Sequence, residues 1–485
     1  MNPAGNGSDI EQGLRALAQQ AEDDLKALVS IESVYRNDNE KKIGEAANKC
    51  AELLRGAGMD VEVIHPQQNS PNGRQGPAPA PIVYASRPCG DVTAPTVLLY
   101  AHYDVVPGSW KDAFKPQVDQ GRMKGRGAAD DKSGVMMHVT TCRFFQRYGH
   151  LPVNVKIVLE GEEEAGTDTL ERYMHDYPDR FKADVVSLAD GGNVGLGKPT
   201  LATSLRGFVM ADVSVSTLNG DVHSGMYGGP VPDAYMALTK ILATLHDDEG
   251  NVAVPGLKQK EWQGYQPDRV ALRKGAKIKD GVPLIGTGSL GSQLYTKPSV
   301  TVVGLDRLPA GEPLPGTKGF RNALLAGVRA RLTMRIAPGD TPENAFTCLK
   351  NHLLRRDVNP WRAEASVSYV SGAPGFEVRA EGGPGYQAAE KALLTVYQAE
   401  QVHHAGQGGS IPLTNTLGAI NPHADILIWG CEEPATNIHA DHESVSLNEL
   451  HSMTCAQVLL ILALAGKQEP LSAHFGATAS AGSAF

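Results

Sequence analysis

A chain of 485 residues, 41% hydrophobic and 20% charged, has the composition of ordinary soluble globular material, enough for roughly two to four domains with a substantial core. A net charge of −9 without any run of lysines and arginines argues against a phosphate track for nucleic acid and against attraction to an anionic membrane. Six scattered cysteines without a CxxC pair suggest neither a thiolate zinc site nor a disulfide framework, and they fit a reducing cytoplasm.

The first residues, MNPAGNGSDIEQ, have neither the basic nor the apolar region of a signal peptide, so the expected location is cytoplasmic. Leu14, Leu17, Ala21, Leu25 and Leu28 recur at helical spacing behind Ser8 and Asp9 as caps, and a second helix over about 41–55 stops at Gly56 before the strand VEVI. HPQQNSPNGRQGPAPAP reads as a surface loop. The apolar runs TVLLYAHYD, VNVKIVLEGEE and ADVVSLADGG each end in a polar cluster, with helical patterns such as KSGVMMHVTTCRFFQRY between them. Near-continuous apolar strands imply an α/β unit, a mostly parallel sheet with helices on both faces, and such sheets bind ligands at the carboxyl ends of their strands.

From Leu205 the pattern changes to a long alternating strand, then strands near 300, 333 and 367 with helices near 240 and 345. These predict an inserted small antiparallel α+β domain over 205–375, between a first part of the catalytic domain at 1–204 and a second at 376–485. The alternating strand is expected to leave an edge free for a second copy. The longest apolar run, VLLILALAG, is too short to span a bilayer, and KQEPLSAHFGATASAGSAF reads as a loose tail.

The strand ends carry the chemistry. YAHYDVVPG supplies His102 and Asp104, GRGAADDKSG supplies Asp130 and Asp131, and LADGG supplies Asp190. VLEGEEEAGT packs Glu160, Glu162, Glu163 and Glu164 into five positions, where like charges repel unless solvated or faced by a cation. NIHADHES adds His439 and His442. His102 and Asp104, two apart on a strand, point the same way, as a ligating imidazole and the carboxylate that orients it would. Imidazoles with several carboxylates and no thiolates describe a site for zinc, manganese or a similar metal, and the number of acids suggests two ions sharing a carboxylate.

The order H-x-D, G-R-G-A-x-D-x-K, E-G-x-E-E-x-G-[ST], a lone Asp and a late H-x-x-[NH]-E resembles the co-catalytic di-metal amidohydrolases that include carnosinase, glutamate carboxypeptidase and the aminoacylases. DVHSGMYGG and QGGSIPLT are most similar to the carnosinase-type dipeptidase branch. The resemblance implies that Asp130 bridges two divalent ions, zinc or alternatively manganese, with His102 and Asp190 completing one site and Glu164 and His439 the other. It implies that Asp104 holds His102, that Glu163 is the general base, and that Glu160 and Glu162 serve only strand-end solvation. It further implies a ferredoxin-like lid and dimerisation domain, a homodimer in which His223 reaches the neighbouring subunit's site, and a substrate carboxylate held by Arg335, Gly409 and Ser410.

Two registers stay open: His439 competes with His442, and Asp130 with Asp131. His138, His403 and His404 are expected to be core or surface histidines. GGNVGLG and GEPLPGTKG lack the full dinucleotide and P-loop patterns and read as turns. The expected activity is metal-dependent hydrolysis of the amide bond in dipeptides or similar small substrates. The alternatives are an N-acyl-amino-acid deacylase and an inactive metal-binding scaffold, which would have lost Glu163 or a ligand.

Overall fold

The computed structural model describes residues 7–36, 38–67, 78–308, 322–359, 361–378 and 382–466. The central part of the Pro-rich loop at 68–77, the turn GEPLPGTKG and the C-terminal tail lie outside them. The chain divides into two compact units, one made of Met1–Ala202, Val378–Ala405 and Thr416–Phe485, the other of Thr203–Glu377 and Gly406–Asn415.

The first unit is built on a six-stranded sheet in the order Asp60–Ile64, Ile82–Arg87, Asn154–Glu160, Thr96–His102, Val185–Leu188, Asp425–Ile428. The last four run parallel, and the first two attach antiparallel at one side. Val185–Leu188 and Asp425–Ile428 are buried at every position, as strands covered on both faces must be. The first helix spans Gly7–Val29, so Ser8 and Asp9 fall inside its first turn and do not precede it. Lys132–Tyr148 starts where the Asp131 carboxylate accepts the Gly134 N–H, an N-cap that satisfies one of the orphan donors of a helix start. A three-stranded sheet of Gln117–Asp119, Arg122–Lys124 and Ser444–Ser446 brings the late histidine segment beside the loop after Lys124.

Most of the nine-residue apolar run lies in an 18-residue helix, Leu447–Leu464, which by length and composition is long and apolar enough to cross a membrane. The run itself is as short as expected, and the helix reaches this length because it begins at Leu447, well before the run. Met453, Val458, Leu460 and Ile461 are fully buried in the core of the unit, so the apolar stretch of this helix is enclosed by protein.

The second unit has a four-stranded antiparallel sheet in the order Ser299–Arg307, Gly327–Ile336, Gly207–Ser216, Glu364–Ala373, with helices Ala234–Ala243 and Pro342–Leu353 connecting the strands in the βαββαβ sequence of ferredoxin-like folds. Val209, Ala211, Val213 and Val215 alternate inward and pack with Leu238, Ile241, Leu349 and Leu353. Gly207–Ser216 lies inside this sheet and is paired on both sides, so the expected free edge is not there. The outer strands are Ser299–Arg307 and Glu364–Ala373; alternation reports one buried face and says nothing about which strands flank it.

Candidate active site

The carboxyl ends of the parallel strands converge. His102 is the last residue of Thr96–His102, Glu160 is the last of Asn154–Glu160, and Asp190 follows Val185–Leu188 by two positions. His102 is buried, with Nε2 2.9 Å from Asp130 Oδ1 and 4.0 Å from Asp190 Oδ1. Asp130 Oδ2 lies 3.0 Å from His439 Nε2, which in turn is 3.0 Å from Glu164 Oε2. Two groups of donor atoms result, His102 with Asp130 and Asp190, and Asp130 with Glu164 and His439, each with all its atoms within 4.8 Å of one another. Asp130 belongs to both.

In both open registers the neighbouring residue is engaged elsewhere. Asp131 turns away from the cluster, accepting the His102 N–H at 3.2 Å while capping the following helix, and the peptide between Asp130 and Asp131 is cis. His442 packs its ring against Trp110, with centroids 5.8 Å apart. Asn437, His439 and His442 all have positive φ, a conformation that costs non-glycine residues roughly 1–3 kcal/mol each and that clusters at functional loops.

The glutamate run is only partly what the sequence suggests. Glu160 and Glu162 are buried at 5% and 2% exposure, so they do not serve strand-end solvation. Glu160 accepts the Tyr100 hydroxyl at 2.8 Å, and burial raises its carboxyl well above the usual range. Glu162 accepts the Ala80 N–H and the hydroxyls of Thr167 and Thr169, which fixes the turn from below. Gly161 between them is sterically required, since a Cβ there would lie 2.3 Å from the Tyr103 hydroxyl. Glu163 and Glu164 form a short 3₁₀ turn whose N–H groups donate to Asp104 at 3.3 and 3.0 Å. Asp104 lies just past the strand. Its carboxylate is 3.4 Å from His102 Nδ1, and its backbone carbonyl is closer, at 3.1 Å. It therefore ties His102 to the acidic turn.

This donor set suits a divalent cation. Burial, then the charges of Asp190, Glu164 and Asp104 against the opposing pull of His102, pushes the Glu163 carboxyl up to about 8. Burial and the Asp130 and Glu164 charges, likewise opposed by His102, push Asp190 up to about 7. His102 Nε2, buried and facing two carboxylates, forms no hydrogen bond of acceptable geometry among the described residues. A lone pair aimed at a concentration of acid oxygens is the arrangement that a metal ion satisfies.

One contributor escaped the sequence reading. Glu443 is buried and accepts Arg126 Nη1 at 2.7 Å, Gly127 N–H at 2.9 Å, Ala129 N–H at 3.0 Å and Asp130 N–H at 3.1 Å, so it holds the loop that presents Asp130. Its signal was the acid immediately after His442 in NIHADHES. His138 is a core histidine, its ring 2.9 Å from the Tyr100 carbonyl and 3.1 Å from Gln457, while His404 is exposed beside Glu390.

In the second unit, Arg335 Nη1 donates to Ser410 Oγ at 2.9 Å, with Gly409 adjacent. His223 is exposed, in a two-residue strand paired to Ala323, and its Nδ1 accepts the Gly225 N–H.

A largely parallel α/β sheet carrying two acid–imidazole clusters that share one carboxylate is an arrangement suited to a metal-dependent hydrolase. The sequence pattern of peptidase family M20/M25/M40 matches residues 98–463, and the chain belongs to that family. It is 35% identical to the cysteinylglycine-S-conjugate dipeptidase of Corynebacterium striatum over 86% of this chain and 89% of that protein. It is 28% identical to the Beta-Ala-His dipeptidase of Rattus norvegicus over 75% and 76% of the two chains. The crystal structure of human carnosine dipeptidase 1 superposes with a TM-score of 0.79 at 22% identity, covering 95% of this chain and 99% of that one, which shows a shared fold.

Proposed function

We propose that this protein is a metal-dependent dipeptidase that hydrolyses the amide bond of small substrates bearing a free terminal carboxylate. The observation that carries the reading is the pair of donor groups joined at Asp130, with Glu163 near them and its carboxylate without a hydrogen bond to any described residue. His102, Asp130 and Asp190 would hold one divalent ion, and Asp130, Glu164 and His439 the other; zinc fits these nitrogen and oxygen donors, as does manganese. When bound, the ions supply Lewis-acid polarisation and a water acidic enough to be deprotonated near neutrality. Glu163 takes that proton on its carboxylate and returns it to the leaving amine. Asp104 holds the turn that presents Glu163 and orients His102 through Nδ1. Arg335, Ser410 and the backbone at Gly409 bind the terminal carboxylate.

The names of the relatives favour dipeptides over N-acyl amino acids as substrates. Homodimerisation through the second unit, with His223 donating to the oxyanion in the neighbouring subunit's site, is supported by an outer strand whose Val302, Val303 and Leu305 are exposed. The test is a screen of the metal-reconstituted protein against dipeptides, N-acetyl amino acids and N-succinyl amino acids. Dipeptide turnover that a chelator abolishes and Zn²⁺ or Mn²⁺ restores is the expected result. Exclusive turnover of the acylated series, or full activity without metal, would overturn the reading.

A further inference from the structure

Beside the half-buried Arg335, the second unit holds a buried guanidinium that the proposed reaction leaves without a role. Arg206 immediately precedes the strand Gly207–Ser216 and is only 8% exposed. Its Nη1 lies 3.2 Å from Ser299 Oγ and 3.5 Å from the carbonyl oxygens of Gln293 and Lys297. Its Nε is buried and has no acceptor among the described residues. No described carboxylate forms an ion pair with Arg206 or with Arg335. Burial, then repulsion from Arg335, pushes the Arg206 guanidinium down to about 10. A buried cation beside a half-buried one, without an acid, is costly, and the cost is recovered where a ligand brings the anion.

The turn that carries Ser410 is laid directly on Arg206. The Arg206 N–H donates to the Gln407 carbonyl at 3.3 Å, and the Ser410 hydroxyl donates to the Arg206 carbonyl while accepting from Arg335 Nη1. A Cβ at Gly408 would come within 3.2 Å of Arg206 Nη2, so the turn and the guanidinium are closely packed there. Ser410 is thus fixed from two sides, by the side chain of Arg335 and by the backbone of Arg206. The Arg206 side chain ties the residues beneath the turn, 293, 297 and 299, to the same point.

We infer that Arg206 is a positioning residue of the carboxylate subsite: it seats the 407–410 turn and Ser410, and adds a second positive charge that favours substrates with a free terminal carboxylate, without acting on the bond that is cleaved. This rests on the dipeptidase reading only in placing that carboxylate at Arg335.

The experiment compares Arg206→Met, Arg206→Lys and Arg335→Met in the metal-reconstituted protein, using a dipeptide that the wild type cleaves and the same dipeptide amidated at its C-terminus, the latter assayed as substrate and as competitive inhibitor. Arg206→Met should raise KM for the free acid by roughly tenfold or more while kcat stays within about threefold, and should change the affinity for the amide by less than about threefold. Arg206→Lys, which keeps the charge, should recover part of the loss for the acid. Equal losses for acid and amide, or a fall in kcat at unchanged KM, would mean that Arg206 is a structural residue and would overturn the inference. Should Arg206→Met not fold, Arg206→Lys is held to the same criterion, a KM increase confined to the acid. Arg335→Met separates the two readings. If it discriminates acid from amide and the Arg206 variants do not, only the present inference falls; if it does not discriminate either, the carboxylate is not at Arg335 and both fall.

Discussion

Replacing Glu443 by glutamine tests how the shared carboxylate is held. All four partners of Glu443 are donors: the Arg126 guanidinium and the N–H groups of Gly127, Ala129 and Asp130. Burial raises the Glu443 carboxyl and the Gly127 N–H opposes it, but a set made only of donors, with a guanidinium at 2.7 Å, requires the ionised form. Glutamine keeps the shape but turns an NH₂ group toward N–H donors and leaves Arg126, 1% exposed, without a counter-charge. Removing one partner of a buried pair costs about 3–5 kcal/mol, a large part of a total stability of about 5–15 kcal/mol. Because Asp130 serves both donor groups, loosening its backbone should weaken both metals together, by roughly 10–100-fold as for other residues that orient ligands. Urea unfolding followed by tryptophan fluorescence suits the measurement, since the Trp110 ring stands 5.1 Å from the Arg126 guanidinium and Trp429 is fully buried. Metal content after dialysis supplies the second readout. Combining Glu443→Gln with Arg126→Met should cost less than the sum of the single changes. Wild-type stability and metal retention in Glu443→Gln would refute the reasoning.

Glu163→Gln should keep both metals and lose about two or more orders of magnitude in rate, whereas Glu164→Gln should lose one metal preferentially; equal metal loss from the two variants would end the division of labour between them. His223→Ala should retain its metals but lose most of its turnover. Mixed with Glu163→Gln under subunit exchange it should recover roughly a quarter of wild-type activity, because half the dimers then contain one complete site; no recovery despite exchange would exclude action in trans. His138 is buried and neutral, with a pKa held down at about 4 by burial. Below pH 6.5 the unfolded chain binds a proton that the folded one refuses, so stability should fall as pH drops from about 6.5 to about 4, by up to roughly 3 kcal/mol from this group. His138→Gln should remove that part of the pH dependence of urea unfolding; an unchanged profile would show that His138 is not held neutral.

Much of the site could be read from the chain because a parallel sheet gathers the residues that follow its strands at one edge, so His102, Asp190 and the glutamate run are adjacent whenever their strands pair. Spacing and chemistry then single out donors suited to a metal, and the inward alternation of Val209, Ala211 and Val213 marks the second unit as a half-buried sheet. Tertiary structure decided what local pattern cannot carry. His439, three residues before His442, reaches Asp130 because of left-handed backbone and loop packing, while Trp110 takes the other ring. Glu160 and Glu162 look identical to Glu163 and Glu164 in sequence, yet Tyr100, Ala80, Thr167 and Thr169 draw the first pair into the core. Segment 406–415 groups with the second unit, where Ser410 bonds to Arg206 and Arg335, 204 and 75 residues earlier in the chain. Periodicity records which face of an element is buried; which distant donor satisfies a given carboxylate is settled only when the whole chain has folded, since the cost of an unpaired buried charge is assessed there.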